Sequence, residues 1–182
     1  MSISTINNQY HFNLIKDDLF NHIDNLITTN HSLTVLVPHV CNNIDAFGAG
    51  FAGAVARKYP LVKDNYHMLG PSFLRKNLGY SQFITIPNQL KNNSRIVFCN
   101  MIAQNGIVSR SNKRPINYLA LCRCMVSVSK FIKENNNKQD NRIQIHAPKF
   151  GSGLAGGNWG FISYLIDDIW DSVDVFVYDN KK

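Results

Sequence analysis

Residues 33–60 read LTVLVPHVCNNIDAFGAGFAGAVARKYP. Leu33 to Val37 is a continuous apolar run, which predicts a strand covered on both faces. It runs into a loop, PHVCNNIDAFGAG, at 38–50. Phe51 to Tyr59 then reads as a helix, with Phe51 and Val55 on one side among small alanines, and Pro60 stops it. A second unit of the same kind lies near the C-terminus. There Arg142 to His146 (RIQIH) predicts a strand, and KFGSGLAGGN at 149–158 is a second glycine-rich loop. Trp159, Ile162, Ile166, Ile169 and Trp170 mark the helix that follows.

Working outward, Tyr10 to Leu14 alternates apolar and polar residues, the pattern of a half-buried strand. Phe20, Ile23, Leu26 and Ile27 recur at helical spacing. Residues 61–78, which contain Gly70-Pro71, read as irregular. Gln82 to Ile86 and Arg95 to Ile102 predict strands joined by a turn-rich segment around Pro87 and Asn92-Asn93-Ser94. Arg114-Pro115 opens a helix that Tyr118, Leu121, Cys122, Met125, Val128 and Ile132 continue. ENNNKQDN at 134–141 reads as a polar surface turn, and Asp174 to Tyr178 as the last strand. Strands alternating with helices predict a three-layer α/β/α sandwich with a mixed, mostly parallel central sheet. No linker interrupts the pattern, so 1–182 is expected to be one domain.

Composition narrows the partners. The chain has 182 residues, 45% hydrophobic and 17% charged, the proportions of a globular protein. No apolar run approaches the roughly 20 residues that cross a bilayer, so no membrane partner is expected. The N-terminus lacks a basic stretch followed by an apolar one, and a cytoplasmic monomer is the expectation. The net charge is +7. Its basic residues are scattered, so it reads as a solvated basic surface or as a rim attracting anionic substrates. A nucleic-acid partner stays possible, without a dense basic block to argue for it. Cys41, Cys99, Cys122 and Cys124 form no C-x-x-C pair, which predicts free thiols and no metal or other cofactor.

Chemistry is expected beyond the carboxyl ends of the parallel strands, where both glycine-rich loops enter helices. Glycine lets the backbone approach an anion, and successive N–H groups with the helix dipole favour phosphate. Two such loops at one sheet end suggest a diphosphate clamped from both sides. Neither ends in the G-K-[ST] of a Walker motif, and the first lacks the remaining Rossmann spacing.

The stretch HVCNNIDAFGAGFAGAVARKYP resembles the first ligand loop and helix of macrodomains. KDDLF at 16–20 is similar to that fold's early Gly-Asp-Leu motif, with Asp17 in the glycine position. APKFGSGLAGGNW at 147–159 resembles the second loop, and VFVY the last strand. The resemblance runs from about Tyr10 to Tyr178. It is to the branch of phosphatases acting on ADP-ribose 1''-phosphate and hydrolases removing ADP-ribose from protein or nucleic acid. It implies ADP-ribose or ADP-ribose 1''-phosphate as partner. The same resemblance implies roles. Asp18, with Leu19 beside it, would accept from the adenine amino group. Gly48, Ala49, Gly50 and Phe51 would line one side of the diphosphate, and Ser152, Gly153, Leu154, Ala155 and Gly156 the other. Asn42 and Asp45 would lie near the distal ribose, and Tyr178 or Asp179-Asn180 would flank adenine.

Departures separate the activities. The hydrolases of this branch that act on acylated ADP-ribose carry a lysine where this chain has Asn100 to Gln104. An aspartate common in their second loop is replaced by Ala155. His39 matches a histidine of the yeast-type phosphatases. The expected activity is therefore that of an ADP-ribose 1''-phosphate phosphatase, with an ADP-ribosyl hydrolase or a non-catalytic reader as alternatives. His39 is then a general acid or base, or a hydrogen-bonded histidine at a strand end. Asp45 orients water, or caps the loop. Asn42 binds ribose, or satisfies loop backbone. Asp18 meets adenine, or caps a helix. Asn100 and Gln104 line the ligand or pair with backbone, whereas His146 and Trp159 read as structural.

Overall fold

The computed structural model describes residues 10–87, 91–136 and 142–179. In chain order these form β1 (Asn13–Ile15), α1 (Leu19–Thr29), β2 (Leu33–Asn42), α2 (Gly50–Lys58) and α3 (Pro60–Lys76). There follow β3 (Ser81–Thr85), β4 (Arg95–Gln104), α4 (Tyr118–Asn136), β5 (Arg142–Pro148), α5 (Trp159–Ile169) and β6 (Val175–Tyr178). The sheet order is β1-β6-β5-β2-β4-β3. Every neighbouring pair is parallel except β3 with β4, so the sheet is mixed and mostly parallel.

Alternation along β2 builds the layers. Val35, Val37 and Cys41 enter one core, against Leu19 and Ile23 of α1, Val55 of α2 and Val62, Tyr66 and Leu74 of α3. Leu36 enters the other, against Leu121, Met125 and Val128 of α4 and Ile162 and Ile166 of α5. Both faces of the strand are thus covered, which is why its sequence is apolar without a break. Burying one such aliphatic side chain contributes about 1.5–3 kcal/mol.

Three segments differ from the sequence expectation. Strand β2 continues through residues 38–42, which read as loop; its pairing with β4 carries Pro38 to Asn42 along. Residues 61–78 are mostly helix rather than irregular. Gly70, at φ 74°, ψ 154°, kinks α3, and Pro71 follows inside the helix. The Gly-Pro pair thus marks a bend between two helical stretches, not the absence of helix. Arg114-Pro115 does not open α4. Ile116 instead bridges to Gln104, and its N–H donates to the Ala155 carbonyl (3.0 Å). Only then does Asn117 cap the helix, its Oδ1 accepting from the Ala120 N–H (2.9 Å). Most of the Asn-rich turn at 134–141, and Asn180, lie outside the described residues. No described helix is long and apolar enough to cross a membrane.

Candidate functional site

β2 and β5 are hydrogen-bonded neighbours running in the same direction. Their carboxyl ends therefore reach the same edge of the sheet. From β2 the chain turns to α2 on one face, and from β5 to α5 on the other. A crevice must open where these connections diverge. It holds a cavity of about 760 Å³, bordered by both glycine-rich loops. That size suits a small-molecule or cofactor site, typically about 300–1,000 Å³. The loops approach each other across it, since a Cβ on Gly50 would stand 3.4 Å from Leu154 Cδ1.

The first loop is built around Asn42. The β2–β4 register shifts between Cys41 and Asn42, a bulge that re-aims the strand end. Asn42 Oδ1 accepts from the Ile44 N–H (3.0 Å) and the Ala46 N–H (3.2 Å), and its Nδ2 donates to the Ala46 carbonyl. The Tyr66 hydroxyl of α3 adds contacts to the Asn42 carbonyl (2.9 Å) and Oδ1 (3.0 Å). Asn42 lines the cavity, but most of its side-chain capacity is spent on the loop itself. Tyr66 is fully buried. Tyr66→Phe is expected to lower stability by about 1–2 kcal/mol, read as a shift in the urea midpoint.

Gly48, Ala49, Gly50, Phe51 and Ala52 carry the wall onward into α2. Asp18 caps α1 and Asn158 caps α5, whereas no side chain caps α2. The amides of its first turn thus have no side-chain cap, and Gly50, Phe51 and Ala52 lie on the cavity wall.

The second loop curls on itself. The Gly156 N–H donates to the Gly153 carbonyl (2.9 Å) and the Gly157 N–H to the Gly151 carbonyl (2.8 Å). Gly156 holds φ 70° with the Lys113 carbonyl 2.7 Å from where a Cβ would stand, so only glycine fits. Gly151, Gly153, Leu154 and Ala155 line the cavity. Ser152 and Gly156 shape the loop without lining it, and the Ser152 hydroxyl donates to the Lys149 carbonyl (3.2 Å).

The cavity lining carries Lys63, Lys149, His39 and His67 and no carboxylate. Lys149 is paired with Asp179 at 2.9 Å. His39 lies on the cavity floor at 1% exposure, among the ring edges of Phe47, Phe51 and Phe98. Burial lowers its pKa to about 4, so the imidazole is neutral at pH 7. Its Nε2 is buried without a hydrogen-bond partner. Cys41 also lines the cavity, but burial raises its thiol well above the usual range and keeps it an inert thiol.

Asp45 is not itself on the lining. Its carboxylate meets His67 Nδ1 at 2.7 Å, and His67 is. The pair could not be seen while 61–78 read as irregular. Taken as helix, the segment places Lys63 and His67 four residues apart on one face. Gln104 lines the cavity at the end of β4. Asn100 does not: it is fully buried, with Nδ2 donating to Gln82 Oε1 (3.0 Å).

The expected adenine-side residues stand apart from the lining. Asp18 Oδ1 accepts from the Asn21 N–H (2.9 Å), the helix-capping role. Leu19 is buried in the core. Tyr178 is 2% exposed, its hydroxyl 2.8 Å from His146 Nδ1. His146 stacks on Phe176 and is buried. Trp159 is half-buried, edge-on to Phe12 with the Lys149 ammonium 5.2 Å from its ring. Among the described residues, no group of three or more histidine, cysteine or acidic side chains could hold a metal ion.

No family model matches the chain. It is similar to an ADP-ribose 1''-phosphate phosphatase of Lodderomyces elongisporus, 25% identical over 173 residues, covering 90% of this chain and 95% of that one. Among solved structures it is similar to a protein of unknown function from Bacteroides thetaiotaomicron, with TM-score 0.74 and 27% identity, covering 94% and 99% of the two chains. A macrodomain protein from Streptomyces coelicolor matches with TM-score 0.59 and 25% identity, covering 84% and 100%.

Proposed function

We propose that this chain is a macrodomain whose cavity binds ADP-ribose 1''-phosphate and hydrolyses the terminal phosphate to leave ADP-ribose. The observation that carries the reading is the cavity between two glycine loops, whose lining carries Lys63 and Lys149 and no carboxylate. Such a wall suits a ligand that is anionic along its middle. The amides of Gly48 to Phe51 would take one side of the diphosphate and those of Gly153 to Ala155 the other. The relative from Lodderomyces elongisporus, by its name, acts on the same nucleotide.

Held by its diphosphate, the substrate keeps its terminal phosphate in place, and placement supplies much of the rate. Water attacks phosphorus and the bond from phosphorus to the ribose oxygen breaks. That oxygen leaves with a proton, and inorganic phosphate is the second product. A general base must be unprotonated at working pH. The neutral imidazole of His39 on the cavity floor is the candidate on the lining; the Asp45 carboxylate, bonded to His67 off the lining, is a candidate to act through that ring.

Incubating the protein with ADP-ribose 1''-phosphate is expected to release phosphate and ADP-ribose in equal amounts. A net charge of +7 favours a second reading, removal of ADP-ribose from modified DNA. Release of ADP-ribose from that substrate, with no phosphate from the nucleotide, would select it. Calorimetric binding without turnover of either would make the protein a reader.

A further inference from the structure

We propose that Lys63 and His67, one turn apart on α3, form the seat for a terminal phosphate monoester, with Asp45 as the residue that positions the His67 ring. The inference rests on the reading that the cavity holds an ADP-ribose derivative. It names the groups that distinguish a phosphorylated end from a bare ribose.

Both side chains line the cavity. Their spacing of four residues puts them on the same helix face. A carboxylate only accepts, so His67 Nδ1, 2.7 Å from Asp45 Oδ1, carries the proton. That leaves Nε2 for the ligand. It donates to a phosphate oxygen when the ring is protonated, and accepts from a monoprotonated phosphate otherwise. Asp45 sits three residues before Gly48, so the pair is tied to the first loop at its approach to the diphosphate wall. Asp45 holds that place with a left-handed backbone, φ 62°, which a non-glycine residue rarely adopts.

Lys63 supplies the charge. Among the described residues, ion pairs engage Lys58, His67, Arg142 and Lys149, and Lys63 has none. It is half-buried, the cavity lining carries no carboxylate, and the Asp45 carboxylate is paired with His67. An ammonium in that setting favours a dianionic phosphate strongly and a sugar hydroxyl little. The imidazole beside it adds direction, which the ammonium lacks.

The test is calorimetry of the wild type, Lys63→Met and His67→Gln with ADP-ribose and, as the phosphorylated ligand, with the non-hydrolysable phosphonate analogue of ADP-ribose 1''-phosphate, which the proposed phosphatase activity does not consume. The wild type is expected to bind the phosphorylated ligand about 10-fold tighter or more. Each variant is expected to lose about that factor for the phosphorylated ligand only. Wild-type protein that binds both ligands equally overturns the inference and leaves the ADP-ribose reading standing. So do variants that weaken both ligands alike or neither. Wild-type protein that binds neither ligand removes the reading itself, and the inference with it. Should His67→Gln fail to fold, Lys63→Met and Lys63→Gln decide alone, since Lys63 holds no ion pair among the described residues.

Discussion

Gly53→Val is expected to weaken ADP-ribose binding on the order of 10²-fold while the protein stays folded. Gly53 lies in the first turns of α2, away from the cavity lining. A Cβ there would stand 2.6 Å from the Gly48 carbonyl oxygen and 2.9 Å from its carbon. Both obstacles are backbone, so no rotamer change relieves them, and the first loop has to move. The amides proposed to hold the diphosphate move with it, and two hydrogen bonds to a charged group lost at about 1.5 kcal/mol each are enough for a loss of this size. Gly157→Ala tests the other wall by the same logic, because its Cβ would meet the Gly151 carbonyl oxygen at 2.5 Å. Calorimetry gives the affinity, and a urea midpoint taken alongside shows whether the fold survived. A folded Gly53→Val protein with wild-type affinity would mean that the first loop does not hold the ligand.

Acidification from pH 6.5 to 4 is expected to cost the protein about 6 kcal/mol of stability. Burial lowers the pKa of His39 to about 4 and of His146 to about 3, from an ordinary 6.5. Above pH 6.5 both states hold these rings neutral and nothing is lost. Below it the unfolded chain takes up a proton at each ring while the folded protein does not. Stability therefore falls by about 1.4 kcal/mol per pH unit for each histidine until the folded pKa is reached. The loss comes to about 3 kcal/mol for His39 by pH 4, and as much again for His146 over the same range. Native domains have only about 5–15 kcal/mol in all. Asp174, held below its usual range chiefly by Arg142, adds a loss in the same direction at lower pH. Urea midpoints between pH 7 and 4 measure the slope. His39→Gln and His146→Gln are each expected to halve it; a flat profile in the wild type would contradict the burial of both rings.

The units that carry the site were legible because their signals are local. The apolar run from Leu33, the glycines at 48 and 50 and the small-residue helix after them follow one another along the chain. So do Ile143, Ile145, the loop from Gly151 and the helix from Trp159. Both loops were expected to meet a ligand, and Gly48 to Phe51 and Gly153 to Ala155 line the same cavity of about 760 Å³. Asn42 was open between ribose and loop backbone, and its hydrogen bonds lie with the backbone. Tyr178 shows the limit of reasoning by position: it ends the last strand as expected, yet its side chain is closed into the core on His146.

Residue spacing along the chain was enough to establish strands, helices and glycine turns, because periods of two and 3.6 and the freedom of glycine are properties of a few adjacent residues. Which of those pieces touch was settled by the sheet. Residues 42–50 and 148–158 are about a hundred positions apart and share a crevice only because β2 and β5 pair side by side in the same direction. Asp45 and His67 are joined for a like reason, through a helix whose kink at Gly70 disguised it and whose packing carries the ring to the carboxylate. Contacts between distant segments depend on strand order and core packing, which the whole chain satisfies at once and no short stretch records.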